Sequence, residues 1–373
     1  MQVRPFRAVY PRKKLITSPD SFFGKVKEEY PVFRDSGFFK QRKQDGMYIY
    51  RIDEARRSYT GLLLLSSMED YEQGHIKVHE HTLAAKEQRQ IQLLMHRRAV
   101  VKPVLLTYPA VEGIDKLLKK QMKEKDPFVH YYFEEEDEHH WVWEIKDEKT
   151  LARLQKFFEE QVPVAYIADG HHRTAAMSRL RRQAEEEGLS RCYDYLLTAF
   201  FPTGELDIFE FNRVVTEMDH LSPAGLMARL SALVDIEPLE EYQPPREKHE
   251  WLMLLQEEWF RLRWRPEVLE AHAGEEVVLD VSLLNELVLH DLLHVKDPRT
   301  DSRLKYVEGP RGIDVFEQIV QKSENRIGFV LHPVDIEDFL HIADAGKVLP
   351  PKSTWFEPRM RNGLLVHDLG DNK

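Results

Sequence analysis

The chain has 373 residues, 42% of them hydrophobic, which is room and material for two closely packed domains with substantial cores. Its 64 acidic residues outnumber 53 basic ones for a net charge of −11, which argues against nucleic acid as a partner because no net basic footprint exists. The single cysteine, Cys192, excludes an intramolecular disulfide framework and points to a reducing, cytoplasmic setting, and no apolar run approaches the ~18 residues of a membrane span.

In chain order, the N-terminus carries Arg4 and Arg7 without the apolar stretch of a signal peptide. Residues 47–52 and 59–66 read as strands joined by a charged turn, and residues 81–98 have the composition of a charged surface helix. A strand is expected over 100–108, with Pro103 suggesting an edge or a bulge, and then a helix over 114–125. The aromatic, alternating segments 128–134 and 140–145 predict a hairpin with an acidic turn. A helix over 151–161 leads into a buried strand, Val164 to Ala168, and a second helix runs from Thr174 to Glu187, closed by Gly188. Strands over 195–201 and 206–211 flank the turn signal Pro202-Thr203-Gly204. Charged, helix-rich sequence spans 223–258, with a surface loop over 237–248. Helices over 281–294, 313–324 and 336–345 and a strand over 327–331 complete the chain. Strands and helices without strict alternation imply an α+β, or mixed α/β, fold. The division expected is residues 1–200 and residues 201–373.

The break between the strand ending at Ala168 and the following helix carries Asp169, Gly170, His171, His172 and Arg173. A strand-to-helix turn aims free N–H groups and the positive end of the helix dipole at whatever binds there, which suits an anion. A carboxylate, two imidazoles and a guanidinium together at one such turn add the means for proton transfer and charge neutralisation. His79-Glu80-His81-Thr82 is a second candidate, because a carboxylate flanked by imidazoles can serve as a base or hold a divalent metal. Its spacing lacks the two His four positions apart of a zinc-protease helix. Lys352-Ser353-Thr354 after Pro350-Pro351 offers an ammonium and two hydroxyls to a phosphate, although the glycines of a P-loop are missing. Two features read as structural: His290 and His294 border a leucine-rich packed face, and Arg179, Arg181 and Arg182 form a solvated helix face.

Asp-Gly-His-His-Arg between a strand and a helix resembles the signature of a bacterial and archaeal family, domain of unknown function 1015. The resemblance runs nearly end to end, through Arg4 to Ala8, Gly74 to Thr82 with Lys86 and Pro103 to Tyr108, and Ala345 to Thr354. The chain departs from the family's pattern around residues 18–36, which lack a Pro-Pro-Tyr-Asp element, and at Asn212-Arg213, where a His-Arg pair is usual. More remotely, the strand–turn–helix is similar to the ParB and sulfiredoxin superfamily, whose free serine kinases set this turn against nucleotide phosphates. His stands where sulfiredoxin has its Cys, so redox chemistry is not implied.

The resemblance implies a ParB/sulfiredoxin-like core with a mixed sheet and flanking helices in the first region, and a C-terminal α/β portion. It also implies a phosphotransferase using ATP or ADP with Mg²⁺ on a small hydroxyl metabolite, serine first. Asp169, Glu80 and His172 are then the expected catalytic residues. Gly170, His171, Arg173, Thr174, Lys352, Ser353 and Thr354 would bind phosphate or nucleotide, and His79, Thr82 and Arg213 the substrate. The other readings are a non-catalytic nucleotide- or metabolite-sensing module, and metal-dependent hydrolysis through His79, Glu80 and the His171/His172 pair.

Overall fold

The computed structural model describes residues 1–188, 191–218 and 221–370. It divides into two compact units, Met1–Asp207 together with Pro358–Lys373, and Ile208–Glu357. The architecture is mixed α/β. Among the described residues, no helix is long and apolar enough to cross a membrane.

The first unit is built on a mixed sheet of nine strands among the described residues. From one edge the order is Ile76–Lys77, Ala165–Asp169, Val104–Tyr108, Tyr195–Pro202, Ser58–Ser67, Met47–Asp53, Glu138–Ile145 and Val129–Phe133, with Val3–Arg4 paired to Ser58–Ser67. Tyr195–Pro202 runs parallel to Val104–Tyr108, and Ala165–Asp169 parallel to Ile76–Lys77; the remaining pairings are antiparallel. Leu62 to Leu65 and Val104 to Leu106 are buried. Strands covered on both faces give unbroken apolar runs, which is how they read in the sequence.

The expected strand over 100–108 is two pieces. Ala99–Val100 pairs with His367–Asp368 near the C-terminus, and Val104–Tyr108 lies inside the large sheet rather than at an edge. Pro103 is tolerated because it stands just ahead of the strand, where its missing N–H costs no ladder bond. The bulge is in the neighbouring strand: register slips between Ile167 and Asp169, so Ala168 is the extra residue. Helix Pro19–Asp35 was not foreseen. Ser18 caps it through Ser21 N, Pro19 opens it, and Phe22, Phe23, Val26 and Tyr30 are buried, but Gly24 and the internal Pro31 read as breakers.

The second unit is an antiparallel sheet of six strands among the described residues, ordered Val234–Leu239, Glu258–Trp264, Glu250–Leu255, Ile327–Leu331, Phe211–Val215 and Leu304–Glu308. Helix Ile313–Val320 presses Phe316 and Val320 onto Val214, Leu252, Leu254 and Val330. The expectation of helix-rich sequence over 223–258 fails beyond helix Pro223–Leu230. Glu250–Leu255 is buried at every position, so its Trp-Leu-Met-Leu-Leu run shows no strand alternation. The arginines of Glu258–Trp264 balance Glu250: Arg261 Nε lies 3.0 Å and Arg263 Nη2 2.7 Å from its carboxylate. Residues 280–290 pass from α-helix into a π-helix, and the exposed His290 bonds its neighbour Asp291 at 2.7 Å.

Candidate functional site

The bulge at Ala168 brings Asp169 to the end of its strand as the last paired residue, opposite Leu105. Bulges are commonly placed where a side chain must be re-aimed beside a site. Gly170 follows at φ 115°, in the left-handed region, and caps helix His171–Glu186. A side chain here is strained by that φ, and its Cβ, 2.7 Å from Arg173 Nη2 and 3.0 Å from Val104 Cγ2, would push the guanidinium aside. The helix begins three residues earlier than the sequence suggested, so His171, His172 and Arg173 form its first turn. Its own hydrogen bonds start with the amides of Arg173 and Thr174 on Gly170 O, at 2.9 and 3.0 Å, and the Thr174 hydroxyl donates to the same carbonyl. The leading amides of His171 and His172 are those a helix cannot satisfy by itself.

Basic residues in a first turn oppose the helix dipole, and the structure offsets them in two ways. The imidazoles are neutral: burial pushes His171 down to about 4 and lowers His172 as well. Arg173 is paired with Asp169 at 2.9 Å and also donates to Pro103 O at 3.2 Å.

Asp169 has two further partners that sequence reasoning missed. Lys102 Nζ and Arg359 Nη1 each lie 3.4 Å from its carboxylate. Burial alone would raise the Asp169 carboxyl, but Arg173, Lys102 and Arg359 together hold it far below the usual carboxylate range. Lys102 could have been suspected as a lysine ahead of a buried strand. Arg359 had a weaker signal, the Pro-Arg-Met-Arg stretch just after the C-terminal block, and it belongs to the first unit although 190 positions from Asp169.

The His79 to Thr82 segment joins this turn. The His79 amide donates to His171 Nε2 at 3.3 Å, and the two rings meet edge to face at 4.4 Å. A neutral His171 that accepts at Nε2 carries its proton on Nδ1, and Nδ1 lies 3.8 Å from Glu80 Oε2. His172 is fixed in the same manner, with Leu83 N donating to Nε2 at 3.2 Å. Burial keeps His79 neutral, while half of the Glu80 side chain is exposed. Thr82 turns elsewhere, bonding Glu87, which pairs with Arg179 at 2.9 Å.

The remaining expected residues meet one another in the second unit. Arg213, fully buried, donates to Phe211 O at 2.6 Å and to Lys352 O at 3.0 Å. Lys352 has φ 58°, its ammonium sits 4.6 Å from the centre of the Phe211 ring, and the Ser353 hydroxyl donates to Pro350 O at 2.6 Å. Thr354 follows, half-buried.

A family model described as "Protein of unknown function (DUF1015)" matches residues 6–282. The chain belongs to the DUF1015 family. No curated protein matches it. Among solved structures, this DUF1015 chain is similar to C-terminally truncated SbnI from Staphylococcus aureus, at 12% identity and a TM-score of 0.42 over 82% of this chain and 87% of that one. It is similar to a free serine kinase in complex with AMP at 12% identity and a TM-score of 0.37, over 81% and 92% of the two chains. A conserved hypothetical protein from Pyrococcus furiosus gives 13% and 0.37, over 82% and 95%. Likenesses of that size say nothing about activity.

Proposed function

We propose that the first unit is a nucleotide-dependent phosphotransferase acting on the hydroxyl of a small metabolite, with serine as the first acceptor to test and ATP or ADP as donor. The observation that carries this reading is the convergence of Lys102, Arg173 and Arg359 on one carboxylate at a helix N-terminus, in a chain whose net charge is −11. Phosphoryl transfer asks for positioning and charge neutralisation, and three cations beside free helix amides supply both.

The acceptor oxygen attacks the terminal phosphorus, the bond to the remaining nucleotide phosphate breaks, and the hydroxyl proton passes to a carboxylate. Glu80 suits that task better than Asp169. A carboxylate held far below its usual range by three cations is a weak base, and Asp169 instead keeps those cations in place. Glu80 is half exposed and faces the Nδ1–H of His171. His172 Nδ1–H, Gly170 and the first-turn amides complete the phosphate cradle, with His79 holding His171 in its tautomer.

Among the described residues, one group of three or more potential metal ligands gathers, Asp20, Glu135 and Glu136, and it is not at this turn. Mg²⁺, which commonly accepts few protein ligands, would neutralise phosphate charge if bound with the nucleotide, leaving Glu80 to take the proton. Arg213, Lys352, Ser353 and Thr354 stand as a proposed substrate and nucleotide loop of the second unit.

Incubating purified protein with ATP or ADP, Mg²⁺ and a panel of hydroxy amino acids tests the reading. Phosphorylated serine, or one other phosphorylated acceptor, is the expected product. A nucleotide-dependent rise in melting temperature without product would mark a sensing module instead, and neither product nor rise would defeat the proposal.

A further inference from the structure

Lys102 and Arg173 also line a cavity of about 180 Å³ in the first unit, with Arg97, Lys27, Gln90 and Asn362 around it. Its charged lining is wholly basic: Lys27, Arg97, Lys102 and Arg173. The remaining wall is apolar, from Leu93, Leu94, Ala99, Val100, Val101 and Leu196. Arg97 is the unusual member. It ends helix Ala84–Arg97, is 8% exposed, and its Nε and Nη2 are buried without a hydrogen-bond partner. Glu28 acts on it only through its charge, and Arg34 binds its backbone carbonyl, not its side chain.

Nε and Nη2 form one edge of the guanidinium and donate in parallel, the fork that matches two oxygens of a phosphate or carboxylate. Burying such an edge unpaired costs stability. No acid lines the cavity, and although Lys102 and Arg173 share Asp169, the Arg97 fork has no hydrogen-bonded counter-charge, which favours an anion there. We propose that this cavity is a phosphate-monoester site, in which Arg97 grips the phosphate side-on, Lys102 and Lys27 add charge, and the apolar wall receives the rest of a small molecule. The site shares Lys102 and Arg173 with the cluster around Asp169, and Arg97 and Lys27 are the charged residues that belong to it alone.

The test is the full chain titrated with inorganic phosphate, with acetate as the carboxylate arm, at constant ionic strength, following melting temperature and binding heat. Phosphate is expected to raise the melting temperature of the wild type, with acetate weaker. Arg97→Met is expected to bind phosphate at least tenfold more weakly while melting no lower than wild type in phosphate-free buffer, because the methionine removes an unpaired buried charge. A purely structural arginine would instead lower that melting point. Arg97→Lys keeps the charge without the fork and should also lose most of the affinity. Equal phosphate response in wild type and both Arg97 variants, or none in the wild type, overturns the proposal. Loss of the response in Arg359→Gln with retention in Arg97→Met would place phosphate at the Asp169 cluster and overturn it too. None of these outcomes depends on whether the chain transfers phosphoryl groups.

Discussion

Gly170 shows how tightly one residue holds the turn. Its φ of 115° strains any side chain, and a methyl group 2.7 Å from Arg173 Nη2 would push the guanidinium aside. Gly170→Ala should cost about 1–3 kcal/mol in denaturant unfolding and displace the Arg173 guanidinium from Asp169; unchanged stability would contradict the strain. The two carboxylates part company under substitution. Glu80→Gln, half exposed, should change stability by less than about 0.5 kcal/mol yet cut acceptor turnover by roughly 10²- to 10⁴-fold. Asp169→Asn should lower the melting temperature, since Lys102, Arg173 and Arg359 would lose the charge they share. If Asp169→Asn melts like the wild type and Glu80→Gln turns over normally, the assigned roles are wrong. At this scale the sequence carried the turn itself, because Asp169 to Arg173 and His79 to Thr82 are local strings of chemically distinctive residues. It did not carry Lys102 or Arg359, which are ordinary surface-type residues until a fold brings them to one carboxylate.

Among the elements, the strand Ala165–Asp169 does the aiming. Ile167 and its neighbour Leu106 are buried at the register slip that precedes Asp169, the last paired residue of the strand. Ile167→Ala should cost about 2–5 kcal/mol and weaken nucleotide binding with it, although the side chain touches no ligand. The C-terminal segment matters for the same reason. Val366 pairs with Val9, Gly363 N bonds Val101 O at 2.7 Å, and His367–Asp368 pairs with Ala99–Val100, which secures Arg359 and Arg361 to the first unit. Short apolar runs bounded by turn residues, 47–52 and 327–331, and the periodic helix 151–161 were legible. The hairpin Glu250–Leu255 to Glu258–Trp264 was not, because its first strand follows a charged stretch and the arginines of its second are neutralised by Glu250, which only tertiary structure brings near.

For the molecule as a whole, acid should be destabilising through its buried histidines. Burial pushes His171 and His367 down to about 4 from 6.5, and lowers His79 and His140 as well. Unfolded histidines therefore bind protons that the folded chain refuses, so stability is full above pH ~6.5 and falls as pH drops through 6.5 towards 4. For His171 alone the loss is on the order of 3 kcal/mol. Asp169, depressed rather than raised, keeps its contribution across that window and loses it only in stronger acid. Melting temperatures between pH 7 and 4 check this; a flat profile would contradict neutral, buried imidazoles at the turn.

The central claim is that Lys102, Arg173 and Arg359 hold the phosphates of a nucleotide. Calorimetric titration of ADP with Mg²⁺ into wild type, Glu80→Gln and Arg359→Gln tests it most directly. Wild type and Glu80→Gln should bind alike, and Arg359→Gln should bind at least tenfold more weakly. No binding by the wild type, or equal binding by Arg359→Gln, would contradict the account.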